Sequence, residues 1–282
     1  MQGSAIEHKE ARFIGTGGIS LYWRCWLPGR SPRAILAVVH GVAEHVGRYA
    51  NLASRMAKEQ YATCAFDLRG HGRSEGRRGH IGAWQEYRAD LRRFLQLVAD
   101  EFPGRPAFLF GHSMGALIVL DYIMRQPSFV RGAIVSGAPI RPTGVAKPYL
   151  VALARAFSLV LPTLALPLGL DTSALSRDPA VVEAYERDPL ILRKMTARWG
   201  IEALATVEWV RDHPRQIGLP LLIIHGGADR LNLPEGAQEL FNRVQCPDKQ
   251  LRTYPGSLHE FLNDLDHDRA ESDILEWLGL HL

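Results

Sequence analysis

The chain has 282 residues, 46% of them hydrophobic and 22% charged, with a formal net charge of +3. That is enough for one large domain with an insertion or for two small domains, and it excludes a disordered or fibrous chain. Basic residues are scattered apart from the run between Arg69 and Arg78, which argues against nucleic acid as a partner.

The cysteines, Cys25, Cys64 and Cys246, are odd in number and far apart. They suggest neither a disulfide framework nor a metal site, and a reducing cytoplasm suits them. Met1 to Glu10 is polar and lacks the apolar core of a secretory signal.

Ser20 to Leu27 reads as a strand rich in aromatics, and Ala34 to His40 as a short apolar strand. Tyr49 to Glu59 has helical character, and Tyr61 to Asp67 is a further strand. Trp84, Tyr87, Leu91, Leu95 and Val98 recur at helical spacing, which predicts a helix over Trp84 to Phe102. The apolar run Ala107-Phe108-Leu109-Phe110 reads as a buried strand, Ala116 to Tyr122 as the helix after it, and Gly132 to Gly137 as the next strand. Leu221 to His225 and Leu251 to Tyr254 complete the strands. Pro234 to Val244 and Arg269 to Leu280 are read as helices.

Apolar strands alternating with helices imply an α/β fold: a mostly parallel sheet with helices on both faces. From Ile140 to about His213 the rhythm breaks. That stretch is read as helical, without a clear strand, and it divides the chain into a core of residues 1–139 and 214–282 and an insertion of residues 140–213. Tyr149 to Leu170 is long and apolar, but Arg155 lies inside it and Pro162 and Pro167 break it, so it does not read as a membrane span. The apolar positions Leu150, Leu153, Phe157, Leu161 and Leu164 suit either packing onto the core or an apolar mouth resting on a membrane surface.

Between a strand and a helix stands Gly111-His112-Ser113-Met114-Gly115. A serine in so sharp a turn is held strained above the sheet edge, and glycine is needed two residues to either side. This is the pattern of a nucleophile elbow. A serine hydroxyl needs a base, and the base an orienting acid. Asp229 follows a late strand and His259 the last one, giving the chain order serine, acid, histidine. Asp264, Asp266 and Asp268 come after the histidine and miss that order; His267 and His281 lie on a surface turn and at the C-terminus. The oxyanion would take its backbone N–H donors from Met114 and from Val42 in His40-Gly41-Val42-Ala43-Glu44-His45. His40 and His112 are read as shaping and packing residues. Asp67 to Ser74 lacks the ending of a phosphate loop and the carboxylates of a calcium loop, so it reads as a hydrogen-bonded connection.

His40 to His45 with Arg48-Tyr49, Asp67 to Ser74, Gly111 to Gly115 and Gly227-Ala228-Asp229 together resemble the monoacylglycerol lipase and lysophospholipase branch of the α/β-hydrolases, the serine aminopeptidase S33 type. Leu175-Ser176-Arg177-Asp178-Pro179, Tyr185 and Asp188-Pro189-Leu190 are similar to that family's cap. The resemblance implies an eight-stranded α/β-hydrolase core with an inserted helical cap. It implies Ser113, Asp229 and His259 as catalytic triad, Val42 and Met114 as oxyanion hole, and neither cofactor nor metal. The substrate implied is a single-acyl-chain lipid or ester, a monoacylglycerol first. Lysophospholipids and short esters stand behind it, and a non-catalytic binding protein of this fold is a remote alternative. The implied setting is cytoplasmic or peripheral to a membrane, with transient contact through the cap. Val42-Ala43 departs from the smaller, glycine-rich loop of many relatives and puts the preferred substrate in question more than the mechanism.

Overall fold

The structure, a computed structural model, describes residues 6–125, 127–143, 155, 158 and 160–282. In chain order its strands and helices are β1 (Glu7–Ile14), β2 (Ser20–Leu27), β3 (Ala34–Val39), α1 (Ala50–Lys58), β4 (Tyr61–Phe66), α2 (Gln85–Glu101), β5 (Ala107–His112), α3 (Met114–Arg125), β6 (Gly132–Ser136), β7 (Ala165–Pro167), α4 (Pro179–Arg187), β8 (Lys194–Thr196), α5 (Ala197–Asp212), β9 (Leu221–Gly226), α6 (Pro234–Arg243), β10 (Lys249–Tyr254) and α7 (His267–Leu280).

An eight-stranded sheet runs in the order β1-β2-β4-β3-β5-β6-β9-β10. The pairs β1–β2 and β2–β4 are antiparallel, and the others are parallel. This is the α/β-hydrolase fold. The central strands read as unbroken apolar runs because both faces are covered. Along β3, Ile35, Ala37 and Val39 pack on one side with Leu91 and Phe94 of α2 and Leu117 of α3. Ala34, Leu36 and Val38 pack on the other with Met56 of α1 and Trp277 of α7. Helix α3 is buried from Met114 to Met124 and is accordingly apolar nearly all round.

The structure differs from expectation in particular places. β1 was not anticipated: Glu-His-Lys-Glu-Ala-Arg-Phe-Ile is an edge strand with much of its surface in solvent, so it carries no apolar run. The insertion, expected to lack strands, holds the short antiparallel pair β7–β8. The cysteine reading is corrected as well. Cys25 and Cys64 are bonded as a disulfide, with Cα atoms 4.1 Å apart. They are direct partners across β2–β4, and sheet order rather than sequence spacing brings them together.

Of the apolar positions singled out in the insertion, Leu150, Leu153 and Phe157 lie outside the described residues, whereas Leu161 and Leu164 are exposed. Among the described residues no helix is long and apolar enough to cross a membrane.

Candidate active site

The parallel strands end together, and a cavity of about 610 Å³ lies between their carboxyl ends and the insertion. Ser113 stands at its floor, between the end of β5 and the start of α3, with φ +52°. Its N–H donates to Ser136 O at 2.8 Å, tying the turn to β6. The two glycines have steric reasons. A Cβ on Gly111 would overlap the carbonyl of Gly115, and one on Gly115 would overlap those of Val39 and His40. The helix start can therefore press against β3, and Leu117 N–H donates to Ser113 O at 3.2 Å, so that Ser113 opens the helix.

The loop after β3 passes against Ser113 so closely that a Cβ on Gly41 would come within 3.3 Å of the serine Cβ. Val42 and Met114 both line the cavity beside it. Buried imidazole shapes this loop. His40 Nε2 accepts from Leu68 N–H at 2.9 Å, so Nδ1 carries the proton and donates to Gly41 O at 2.8 Å. Burial pushes its pKa down to about 3 and keeps it neutral. Ala43 adopts φ +67°, a backbone region that favours glycine, and it packs on Leu192 and Met195 of the insertion.

Asp229 lies beyond β9 and His259 beyond β10, and the topology brings them into contact. His259 Nδ1 lies 2.7 Å from Asp229 Oδ2. The other carboxylate oxygen, Oδ1, accepts from Leu231 N–H at 2.8 Å and Asn232 N–H at 3.0 Å. Burial favours the neutral acid at Asp229, but the charge of His259 and the hydrogen bond from His225 outweigh it and hold the carboxyl below its ordinary range. At His259 burial disfavours the imidazolium, and the charge and hydrogen bond of Asp229 more than offset it; the net shift is upward. The carboxylate thus favours the tautomer with the proton on Nδ1, in which Nε2 is the unprotonated nitrogen. Ser113 and His259 share the cavity wall.

Sequence reasoning missed several residues of this site. His225 Nε2 reaches Asp229 Oδ2 at 3.2 Å, and Asn232 Nδ2 donates to Gly137 O at 2.8 Å. Glu44 accepts from Gly41 N–H and from Tyr49 Oη. Arg48 pairs with both Glu44 and Glu260 and stacks over Tyr185 at 4.8 Å. His112 was read from the sequence as a packing residue and is one: its Nδ1 lies 3.0 Å from Ser136 Oγ, and its ring packs against that of His259 at 4.8 Å. The available signal was proximity in the chain: His225 and Asn232 stand within four residues of Asp229, and Glu260 is next to His259. The Asp67–Ser74 connection is structural: Asp67 accepts from Val46 N–H and Arg73 N–H, and Arg69 forks onto buried Asp90 at 2.7 and 2.9 Å.

Residues 30–266 match the serine aminopeptidase, S33 family. A monoacylglycerol lipase of Mycolicibacterium smegmatis is 34% identical over 274 residues, spanning 97% of this chain and 98% of that protein. The chain belongs to the serine aminopeptidase S33 family of hydrolases. A second relative, the human monoglyceride lipase, is 33% identical over 89% of this chain and 84% of its own. The crystal structure of Paleococcus ferrophilus monoacylglycerol lipase superposes with a TM-score of 0.83 at 30% identity, covering 98% of this chain and all of that one.

Proposed function

We propose that the protein hydrolyses monoacylglycerols to fatty acid and glycerol through an acyl-enzyme on Ser113. The observation that carries the reading is the Asp229–His259 bond of 2.7 Å beside an elbow serine, at the floor of a cavity whose wall is largely apolar. Ser113 Oγ attacks the ester carbonyl as His259 Nε2 takes its proton. The N–H groups of Val42 and Met114 stabilise the oxyanion, and Asp229 stabilises the imidazolium. His259 then protonates the departing glycerol oxygen. Water repeats the sequence on the acyl-enzyme and releases the fatty acid.

Two ends of the cavity support this substrate. Leu117, Trp199, Ala203, Leu204 and Val207 offer an apolar wall to an acyl chain. Tyr185, Glu44 and Glu260 offer hydroxyl and carboxylate groups to an alcohol. Arg48 is held between the two carboxylates, and among the described residues Arg230 is the single guanidinium on the wall, at the exposed rim. A neutral glycerol suits that end better than a phosphate does. Val160, Leu161, Leu164 and Leu166 expose an apolar strip on the insertion, which supports brief contact with a membrane surface during substrate capture.

The test is initial rates on a long-chain monoacylglycerol, the matching lysophosphatidylcholine and a short-chain ester, with Ser113→Ala as blank. The highest kcat/KM on the monoacylglycerol supports the proposal. A preference for the lysophospholipid, turnover of the short ester alone, or activity in Ser113→Ala overturns it.

A further inference from the structure

The Leu175–Pro179 stretch of the insertion and the carboxylate of Asp264 have no part in the reaction as described, yet they converge on His259. The backbone N–H of each residue around the histidine is tied down from that side. Leu258 N–H donates to Asp264 Oδ2 at 3.2 Å, His259 N–H to Ala174 O at 3.2 Å, and Glu260 N–H to Leu175 O at 2.8 Å. Asp264 in turn fastens the stretch that supplies those carbonyls. Its Oδ1 accepts from Arg177 N–H at 3.0 Å, and its Oδ2 from Arg177 Nε at 2.9 Å. Ser176 Oγ donates to Asn263 O at 3.1 Å and accepts from Asp178 N–H at 3.0 Å. On the opposite side the loop has no room to retreat, because Gly226 lies against the carbonyls of Ser257 and Leu258.

We infer that Asp264 is a positioning residue for His259: with Arg177 and Ser176 it clamps the insertion to the loop that carries the general base, so that insertion and base move as one unit. The side chain is 2% exposed, and both its oxygens are occupied by donors from the loop and the insertion. Burial raises its pKa, but the Leu265 N–H, the Arg177 guanidinium and the Leu258 N–H outweigh that and keep it ionised. An acidic residue that comes too late in the chain to orient the imidazole ring directly thus orients the backbone from which the ring hangs. In this arrangement Ala174–Arg177 is the fixed edge of the insertion, and any opening of the cavity has to occur elsewhere on it.

The inference rests on the reading of His259 as the base, so His259→Ala is measured first. Activity in that variant overturns the reading itself. With it inactive, Asp264→Asn is assayed on the preferred ester beside the downfield proton resonance of His259 Nδ1–H. A displacement of about 1 Å is enough to lower kcat roughly a hundredfold. The expected result is a kcat lowered ten- to a hundredfold at near-constant KM, with the resonance shifted or lost while the urea midpoint shows a folded protein. Wild-type kcat with an unchanged resonance overturns the inference. If Asp264→Asn does not fold, Arg177→Met and Ser176→Ala, both at the insertion side of the clamp, are read the same way: a shifted resonance and lower kcat support it, and wild-type values for both overturn it.

Discussion

His225 Nε2 stands 3.2 Å from Asp229 Oδ2, the carboxylate oxygen that also takes the 2.7 Å bond from His259 Nδ1. The same nitrogen lies 2.8 Å from Asn232 O, so both of its neighbours are acceptors and it must carry the proton. Asp229 is therefore held by a second imidazole as well as by two backbone amides. Replacing His225 by Phe keeps an aromatic ring in a fully buried place and removes that donor. A hydrogen bond to a charged group contributes about 1.5–3 kcal/mol, so kcat is expected to fall about ten- to a hundredfold. An unchanged kcat at 25 °C in a folded variant shows that Asp229 does not need the second imidazole.

The pH dependence follows from the same pair. In the proposed reaction His259 acts as a base only when Nε2 is unprotonated, and its pKa is raised above the ordinary 6.5. kcat/KM therefore declines as pH falls through a value above 6.5, earlier than an isolated histidine would dictate. In Asp229→Asn the opposing cause is gone while burial remains, so the acid limb moves to lower pH. The level of kcat falls as well, by about ten-thousandfold, because the imidazole is no longer held in the required tautomer. A pH profile of kcat/KM for the two proteins checks both statements; an acid limb that stays in place in the Asn variant contradicts the assignment of that limb to His259.

Much of this was legible because the relevant signals are local. Ser113 announces itself through Gly111 and Gly115, whose missing side chains are required by carbonyls that the adjacent strand and helix supply. Asp229 and His259 were singled out by their places after the last strands, and the fold brings their side chains into contact. What escaped the sequence depends on sheet order or on solvent. Asp264 was set aside as too late for the acid role, and only the fold reveals that it faces the insertion. Cys25 and Cys64 become neighbours because β2 pairs with β4 while β3 lies on the far side of β4. β1 faces water along much of its length, so its residues alternate too weakly to declare a strand.

That disulfide carries its own expectation. It joins residues 39 positions apart in the sequence, and the chain-entropy account assigns a loop of that length roughly 4 kcal/mol. Both cysteines are fully buried in the antiparallel end of the sheet, away from the cavity lining. Cys25→Ala/Cys64→Ala is expected to lose about 2–4 kcal/mol in urea unfolding and to keep wild-type kcat at 25 °C. A matched loss of kcat would tie β2–β4 to the site by a route that the packing does not reveal.

Gly200 is the position at which the proposed acyl-chain wall can be tested. It lies inside α5, where glycine costs about 1 kcal/mol relative to alanine, and it lines the cavity beside Trp199, Ala203 and Leu204. A Cβ built there meets nothing within 4 Å. The absent side chain therefore leaves free volume over the apolar wall, and no backbone conformation or close packing demands the glycine. Gly200→Phe should fold at least as well as the wild type and place its ring where a long chain would run. kcat/KM on a long-chain monoacylglycerol is expected to drop at least tenfold while a short-chain ester is hydrolysed within about twofold of wild type, since burial of the displaced methylenes contributes about 0.8 kcal/mol each. Equal loss on both esters would place the obstruction at the reacting carbonyl, and no loss on either would mean that the acyl chain leaves Ser113 along a different wall.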